Sequence, residues 1–409
     1  MSKREAGEQK EQIRHMVLEQ VPVDSEIDED RLLGIIDESI GKAAGDSYIR
    51  FGERKRLRRE IYNSMRKLDV LQELIEDEEI TEIMVNGPEH IFIEKGGRLM
   101  ETGLEFESEE RLNDIAQQIA SGGNRIVNET NPILDVRLSD GSRVNIVMHP
   151  AAITGPVITI RKFPKEPLTM EKLIRMGAVT READTVLRKL VEARYNIFIS
   201  GGTGAGKTTF LNILSNYIPP DERIITIEDS AELQIQGIEN LVRLEARNAN
   251  AEGKNQITIR DLIKSALRMR PDRIVVGEIR DATAIDMLTA MNTGHDGSLS
   301  TGHANSPEDM LNRLETLVLM GMDIPLEAIR QQIASAIDIV VHLGRLRDKS
   351  RKVLKICEVG GVKNGKICLY PLFQFVEERE EEGRVIGSLK NMGHRLINAD
   401  KCIRAGISL

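Results

Sequence analysis

Asn196 to Phe210 read NIFISGGTGAGKTTF. The apolar run Ile197-Phe198-Ile199 leads into a glycine-rich loop that fits G-x-x-x-x-G-K-[ST]. Gly201 opens the pattern, Gly202, Thr203, Gly204 and Ala205 fill it, and Gly206, Lys207 and Thr208 close it, with Thr209 behind. Glycines without a Cβ let the backbone turn tightly and aim its N–H groups inward. The helix that follows adds the positive end of its dipole at the same spot. Lys207 can reach β- and γ-phosphates, and the Thr208 hydroxyl can ligate Mg²⁺. A strand before and a helix after separate a phosphate loop from a surface loop that matches by chance, and both are visible here. The stretch predicts a site for ATP and Mg²⁺.

Downstream, the pattern alternates. Strands are predicted at 196–200, 223–227, 273–277 and 298–301, with helices at 207–216, 258–268 and 281–292 between them. Such alternation predicts an α/β domain with a parallel sheet and helices on its faces. Helices at 307–319 and 325–336 follow, then strands at 339–343, 353–359 and 366–373. The highly charged tail from Glu377 reads as peripheral.

Upstream, residues 66–163 change texture to short strands and turns. Gly87-Pro88 breaks one pair of strands, and Gly96-Gly97 and Asp140-Gly141 are hairpin signals. A helix is expected after Ser108 as N-cap. This is a smaller α+β domain. Residues 164–179, with Pro164 and Pro167, read as a linker, and 180–409 as the nucleotide-binding domain. Residues 1–65 predict two or three amphipathic helices, from Ile13, Met16, Val17 and Leu18 and then Leu32, Leu33, Ile35 and Ile36. The basic run Arg50–Arg59 reads as a solvated helix face or as a contact for acidic lipid or an acidic partner.

The chain has 409 residues, enough for two or three domains. Its net charge of −9 argues against nucleic acid as a partner. Cys357, Cys368 and Cys402 suit neither a disulfide framework nor a zinc clip, so thiols in a reducing cytoplasm and no zinc are expected. No apolar run reaches the roughly 18–20 residues needed to span a bilayer. Association with the inner face of a membrane is therefore expected through partner proteins.

Three further stretches sit at predicted strand ends, where ligands collect in open α/β sheets. Ile224-Ile-Thr-Ile-Glu228-Asp229 ends an apolar strand in two carboxylates, which can order Mg²⁺ or its waters or cap a turn. Asp272-Arg273-Ile-Val-Val-Gly277-Glu278 has the Walker B layout, with Gly277 where an Asp is usual. Glu278 is the candidate to orient or deprotonate the attacking water, and a candidate for the metal with Thr208 and Glu228. His295 and His303 flank the strand at 298–301. They read as a γ-phosphate sensor, as a zinc pair lacking further ligands, or as hydrogen-bonded structural histidines. Arg137, Arg143 and Arg161 lie on the upstream strands. Arginines there are solvent-facing or salt-bridged, or they reach a nucleotide's terminal phosphates.

The ordered runs GGTGAGKTT, TIEDSAELQ, ALRMRPDRIVVGEIRD and TGHDGSLSTGHAN resemble the Walker A, Asp box, Walker B and His box of the secretion ATPase superfamily of type II secretion, type IV pili and type IV secretion. The wording is similar to the Flp (tight-adherence) pilus branch, as are LDVRLSDGSRVNIVMHP and EEGRVIGSLKNMGHR. The resemblance covers about residues 70–395. It implies a RecA-like P-loop domain behind a smaller PAS-like domain, with ATP held between the two. It further implies a cytoplasmic homohexamer that works on inner-membrane platform proteins. Glu278 takes the place of the catalytic glutamate, Glu228 that of the Asp-box acid, and His295 and His303 the His-box positions. Arg137 and Arg143 take the places of the N-terminal-domain arginines, with Arg161 a further candidate. The tetracysteine zinc element of the type II branch is missing.

Overall fold

The computed structural model describes residues 3–21, 27–44, 49–163, 167–247, 249 and 254–408. The chain divides into two compact units, Met1–Lys165 and Glu166–Leu409.

The first unit opens with α1 (Lys3–Gln20), α2 (Glu29–Ala44), α3 (Phe51–Arg66) and α4 (Leu71–Glu76). Ile13, Val17, Leu32, Ile36, Ile40, Leu57 and Ile61 recur at helical spacing and pack together as a small core. The basic run falls on α3. Arg54 and Arg58 lie 3.7 and 3.4 Å from Asp37, and Arg59 lies 2.8 Å from Glu76, so much of its charge is paired. The helices belong with the α+β fold. Arg111 holds Asp69 at 2.7 Å and Arg14 lies 3.3 Å from Glu107.

The rest of this unit is β1 (Ile80–Asn86), β2 (Ile91–Lys95), β3 (Arg98–Glu101), α5 (Glu109–Gly122), β4 (Ile133–Arg137), β5 (Arg143–Val147) and β6 (Val157–Arg161). The strands form an antiparallel sheet in the order β3-β2-β1-β6-β5-β4. The expected hairpins at Gly96-Gly97 and Asp140-Gly141 are present, and Ser108 caps α5 by accepting from the Arg111 N–H. Ile83, Val144 and Ile160 alternate onto the face that buries α5.

The second unit begins with α6 (Met170–Arg175) and α7 (Arg181–Glu192). The expected linker is therefore partly a helix, and Met170 is buried in the main core. Residues 164–166 of that linker lie outside the described residues. Then come β7 (Ile197–Gly201), α8 (Lys207–Ser215), β8 (Ile224–Glu228), β9 (Leu241–Glu245), α9 (Ile259–Ala266), β10 (Arg273–Val276), α10 (Ala284–Asn292) and β11 (Leu299–His303). The unit ends with α11 (Pro307–Leu319), α12 (Leu326–Ala336), β12 (Ile339–Arg345), β13 (Arg351–Lys363), β14 (Lys366–Glu381), β15 (Arg384–Asn391) and α13 (Asp400–Ala405).

Among the described residues its sheet has nine strands in the order β15-β14-β13-β12-β7-β11-β10-β8-β9. β12 through β9 are parallel, and β13, β14 and β15 add an antiparallel meander. Successive residues of the central strands feed opposite faces. Ile197 and Ile199 pack with α7 and α8, while Phe198 packs with α10, α11 and α12. That is why these strands read as continuous apolar runs. β9 was not expected. The tail expected to be peripheral is instead part of the body. Its first residues, Glu377–Glu381 at the end of β14, are a charged run, exposed throughout, but beyond them β15 and α13 pack back, and Leu389 and Cys402 are buried at 4% and 3% exposure.

Candidate nucleotide site

The glycine loop sits between β7 and α8 as predicted. Gly204 and Gly206 take φ of +69° and +94°, a region costly for residues with a Cβ. A Cβ on Gly201 would lie 2.5 Å from the Leu343 carbonyl oxygen, so the first glycine is set by β12 packed beside it. Thr203 is exposed, Ala205 is buried, and Thr208 and Thr209 are half-buried in the first turn of α8.

Parallel pairing brings the other strand ends to this loop. β11 aligns His303 with Gly201, and β10 leads to Glu278. Lys207 Nζ donates to the Gly202 carbonyl at 3.0 Å and lies 3.3 Å from His303 Nδ1. His303 Nε2 lies 3.0 Å from Glu278 Oε1. Arg280 donates to Glu278 Oε2 at 2.8 Å and reaches Asp229 at 3.3 Å. The loop lysine and the carboxylate are thus joined through one histidine. Burial pushes the His303 imidazole below its ordinary pKa, and the Lys207 charge adds to this. The ring is neutral at pH 7, and its Nδ1 is the acceptor facing the ammonium. Burial raises the Glu278 carboxyl, but Arg280, with His303 and Lys207, outweighs it and holds the group below the usual range.

Glu228 is placed differently. It is 2% exposed at the end of β8. Its Oε2 accepts the Glu232 and Leu233 N–H groups at 2.7 and 2.9 Å, so this acid, rather than Asp229, caps the turn. Burial pushes its carboxyl up to about 7 despite those bonds. A Cβ on Gly277 would lie 3.1 Å from Glu228 Cγ. The Asp usual in a Walker B strand gives way to glycine here because a neighbouring acid fills the space. Between the ordinary value of 4.5 and about 7, the folded chain holds a proton that the unfolded chain has released. Stability therefore falls as pH rises through that window, by at most about 3 kcal/mol at about 1.4 kcal/mol per unit. Glu228→Gln removes this slope. Urea midpoints should match wild type near pH 4.5 and exceed it at pH 8; a variant that tracks wild type across both would refute the assignment.

His295 is not brought to the loop. It precedes β11, whereas His303 ends it, so the two histidines lie toward opposite ends of the same strand. His295 Nδ1 instead lies 3.3 Å from the Ala290 carbonyl at the end of α10. Within the second unit His303 alone of the pair meets Lys207 and Glu278.

In the first unit, β4, β5 and β6 align Arg137, Arg143 and Arg161 as one cross-strand row, continued by Glu82 on β1. Arg143 lies 3.9 Å from Asp135 and Arg161 3.9 Å from Glu82. Their neighbours Val136, Val144 and Ile160 point into the core, so the row occupies the opposite face.

The oxygens of Thr208, Glu228 and Glu278 are the hard donors that Mg²⁺ prefers. Glu228 Oε1 and Glu278 Oε1 are buried without a hydrogen-bond partner, which fits a donor set waiting for a cation or its waters. Among the described residues no three His, Cys, Asp or Glu side chains cluster to hold a metal.

Residues 64–393 match the family described as Type II/IV secretion system protein. The chain belongs to that family of secretion ATPases. Conjugal transfer protein TrbB of Rhizobium radiobacter is 31% identical over 302 residues, covering 72% of this chain and 88% of that protein. Type IV secretion system protein VirB11 of Bartonella henselae is 32% identical, covering 69% of this chain and 89% of that one. The solved structure of the Yersinia pseudotuberculosis ATPase DotB covers 71% of this chain and 77% of its own, with a TM-score of 0.53 and 18% identity, a likeness of fold. Among the described residues of this secretion ATPase no helix is long and apolar enough to cross a membrane.

The sequence reading missed Arg280, which lies between two expected acids, and His342, described below. His342 carried a signal: it is the one polar residue in the apolar run Ile339 to Leu343.

Proposed function

We propose that this secretion ATPase hydrolyses ATP with Mg²⁺, as a homohexamer, and uses domain movement to drive a machine at the inner face of the cytoplasmic membrane. One observation carries the reading: Lys207, His303 and Glu278 form a continuous chain from the phosphate loop to a carboxylate. Lys207 binds the β- and γ-phosphates, and Glu278 orients water for in-line attack. Thr208, Glu278 and Glu228 are the residues that would hold Mg²⁺, which would supply charge neutralisation at the phosphates. His303 senses the γ-phosphate through its contacts to both partners. Arg137 and Arg143, with Arg161, present guanidinium groups to the terminal phosphates as the domains close. Membrane platform proteins are the partners.

The machine is a Flp-type pilus on the sequence wording. The names of TrbB and VirB11 favour the alternative of a conjugation-type type IV secretion ATPase. A phosphate-release assay tests the core of the reading. Arg137→Ala and Arg143→Ala should each lower turnover about 10²–10³-fold, the range for losing one donor to transition-state charge. Binding of a fluorescent ATP analogue should persist through Lys207. Full turnover in both variants would remove the arginines from the mechanism.

A further inference from the structure

β12 carries no motif, yet it lies beside the strand that feeds the phosphate loop. It pairs in parallel with β7, matching His342 with Ser200 and Leu343 with Gly201. On its other side, β7 matches Ser200 with Gly302 and Gly201 with His303. One row of the sheet therefore holds the residue before the loop, its first glycine and the His303 segment. His342 is 6% exposed and Ser200 is fully buried. Ser200 Oγ and His342 Nδ1 are 2.9 Å apart, and the backbone of Asn305, two residues beyond His303, lies beside the same imidazole. A neutral imidazole offers one donor and one acceptor; Ser200 takes one of them through Nδ1, which leaves the other nitrogen for the Asn305 segment. The β12–β13 register shifts between His342 and Leu343, a local irregularity of the kind that re-aims side chains beside sites. Lys355 on β13 and Glu308 and Asp309 on α11 are the charged groups around the ring.

We propose that His342 is a positioning residue for nucleotide binding. It ties Ser200, which feeds the phosphate loop, to Asn305, which follows His303. It thereby fixes the distance between the loop that grips the phosphates and the segment that reads them. A buried polar strut fits this task better than an apolar one, because a hydrogen bond is directional and an apolar contact can slide. The inference rests on the reading of the loop as a triphosphate site.

The test is binding of a fluorescent, non-hydrolysable ATP analogue with Mg²⁺ to the full chain. Wild type, Ser200→Ala, His342→Leu and the double variant are compared, and each is melted without nucleotide. The expected result is a Kd raised about tenfold in each single variant, the equivalent of one directional hydrogen bond. The double variant should be no worse than the worse single, because both remove the same link. Ser200→Ala changes one buried atom and keeps the test open should His342→Leu fold poorly. Folded variants that melt lower but bind as wild type would reduce His342 to a packing residue and overturn the inference alone. Additive losses in the double variant would also overturn it. Failure of wild type to bind would overturn the triphosphate reading, and this inference with it.

Discussion

Glu278→Gln should reduce phosphate release by about 10²–10⁴-fold, the usual worth of a positioned general base, while leaving nucleotide affinity near wild type. Glutamine keeps the shape and can still accept from Arg280. It cannot take a proton from water or carry the charge that His303 and Lys207 feel. Arg280 donates to one oxygen of the carboxylate at 2.8 Å and fixes its direction, while the other, 3.0 Å from His303 Nε2, makes no hydrogen bond and is open to a water. The grip on phosphate comes instead from Lys207 and the loop amides, which the substitution does not touch. Single-turnover phosphate release and analogue binding, measured on the same preparation, separate the two effects. Equal turnover in wild type and variant would leave a nucleotide-gated scaffold as the better description.

Removing Glu222 should destabilise the chain by about 3–5 kcal/mol, the cost of stranding a buried charge. Arg273 opens β10 and is fully buried. Its Nε and Nη2 donate to the two Glu222 oxygens at 2.6 and 2.9 Å, and Nη1 donates to the Val191 carbonyl at 2.6 Å. In Glu222→Ala the guanidinium keeps its burial and loses its counterion. The strand that presents Glu278 is anchored at its far end by this pair, so the loss is expected to reach the site as well as the fold. Urea unfolding of Glu222→Ala should show a lower midpoint at unchanged slope. A double variant, Glu222→Met with Arg273→Met, should recover much of the loss, because it leaves no stranded charge. A midpoint unchanged in Glu222→Ala would mean that the surroundings solvate Arg273 without it.

Much of the second unit was legible because its signals are local. The glycine loop declares its geometry through residues that must turn, and apolar runs flanked by acids mark strand ends. The hairpins at Gly96-Gly97 and Asp140-Gly141 were readable for the same reason. The tail was misread because the exposed charges of its first residues were extended to everything after them. Glu377–Glu381 at the end of β14 are exposed, but β15 then folds back along β14 and buries Val385 and Leu389. β9 escaped because its residues are only half covered at the sheet edge, which leaves a weak apolar signal.

The sequence by itself determined the phosphate loop, the order of the four motifs and the parallel α/β plan, since each depends on residues within a few positions of one another. Only the tertiary structure decided which side chains meet. Strand order places β11 and β12 on either side of β7. That brings His303 to the loop from 96 residues away and His342 to Ser200 from 142, and leaves His295 toward the other end of its strand. The physical reason is that a strand fixes the direction of its own side chains, but its neighbours are chosen by how the whole sheet buries its two faces.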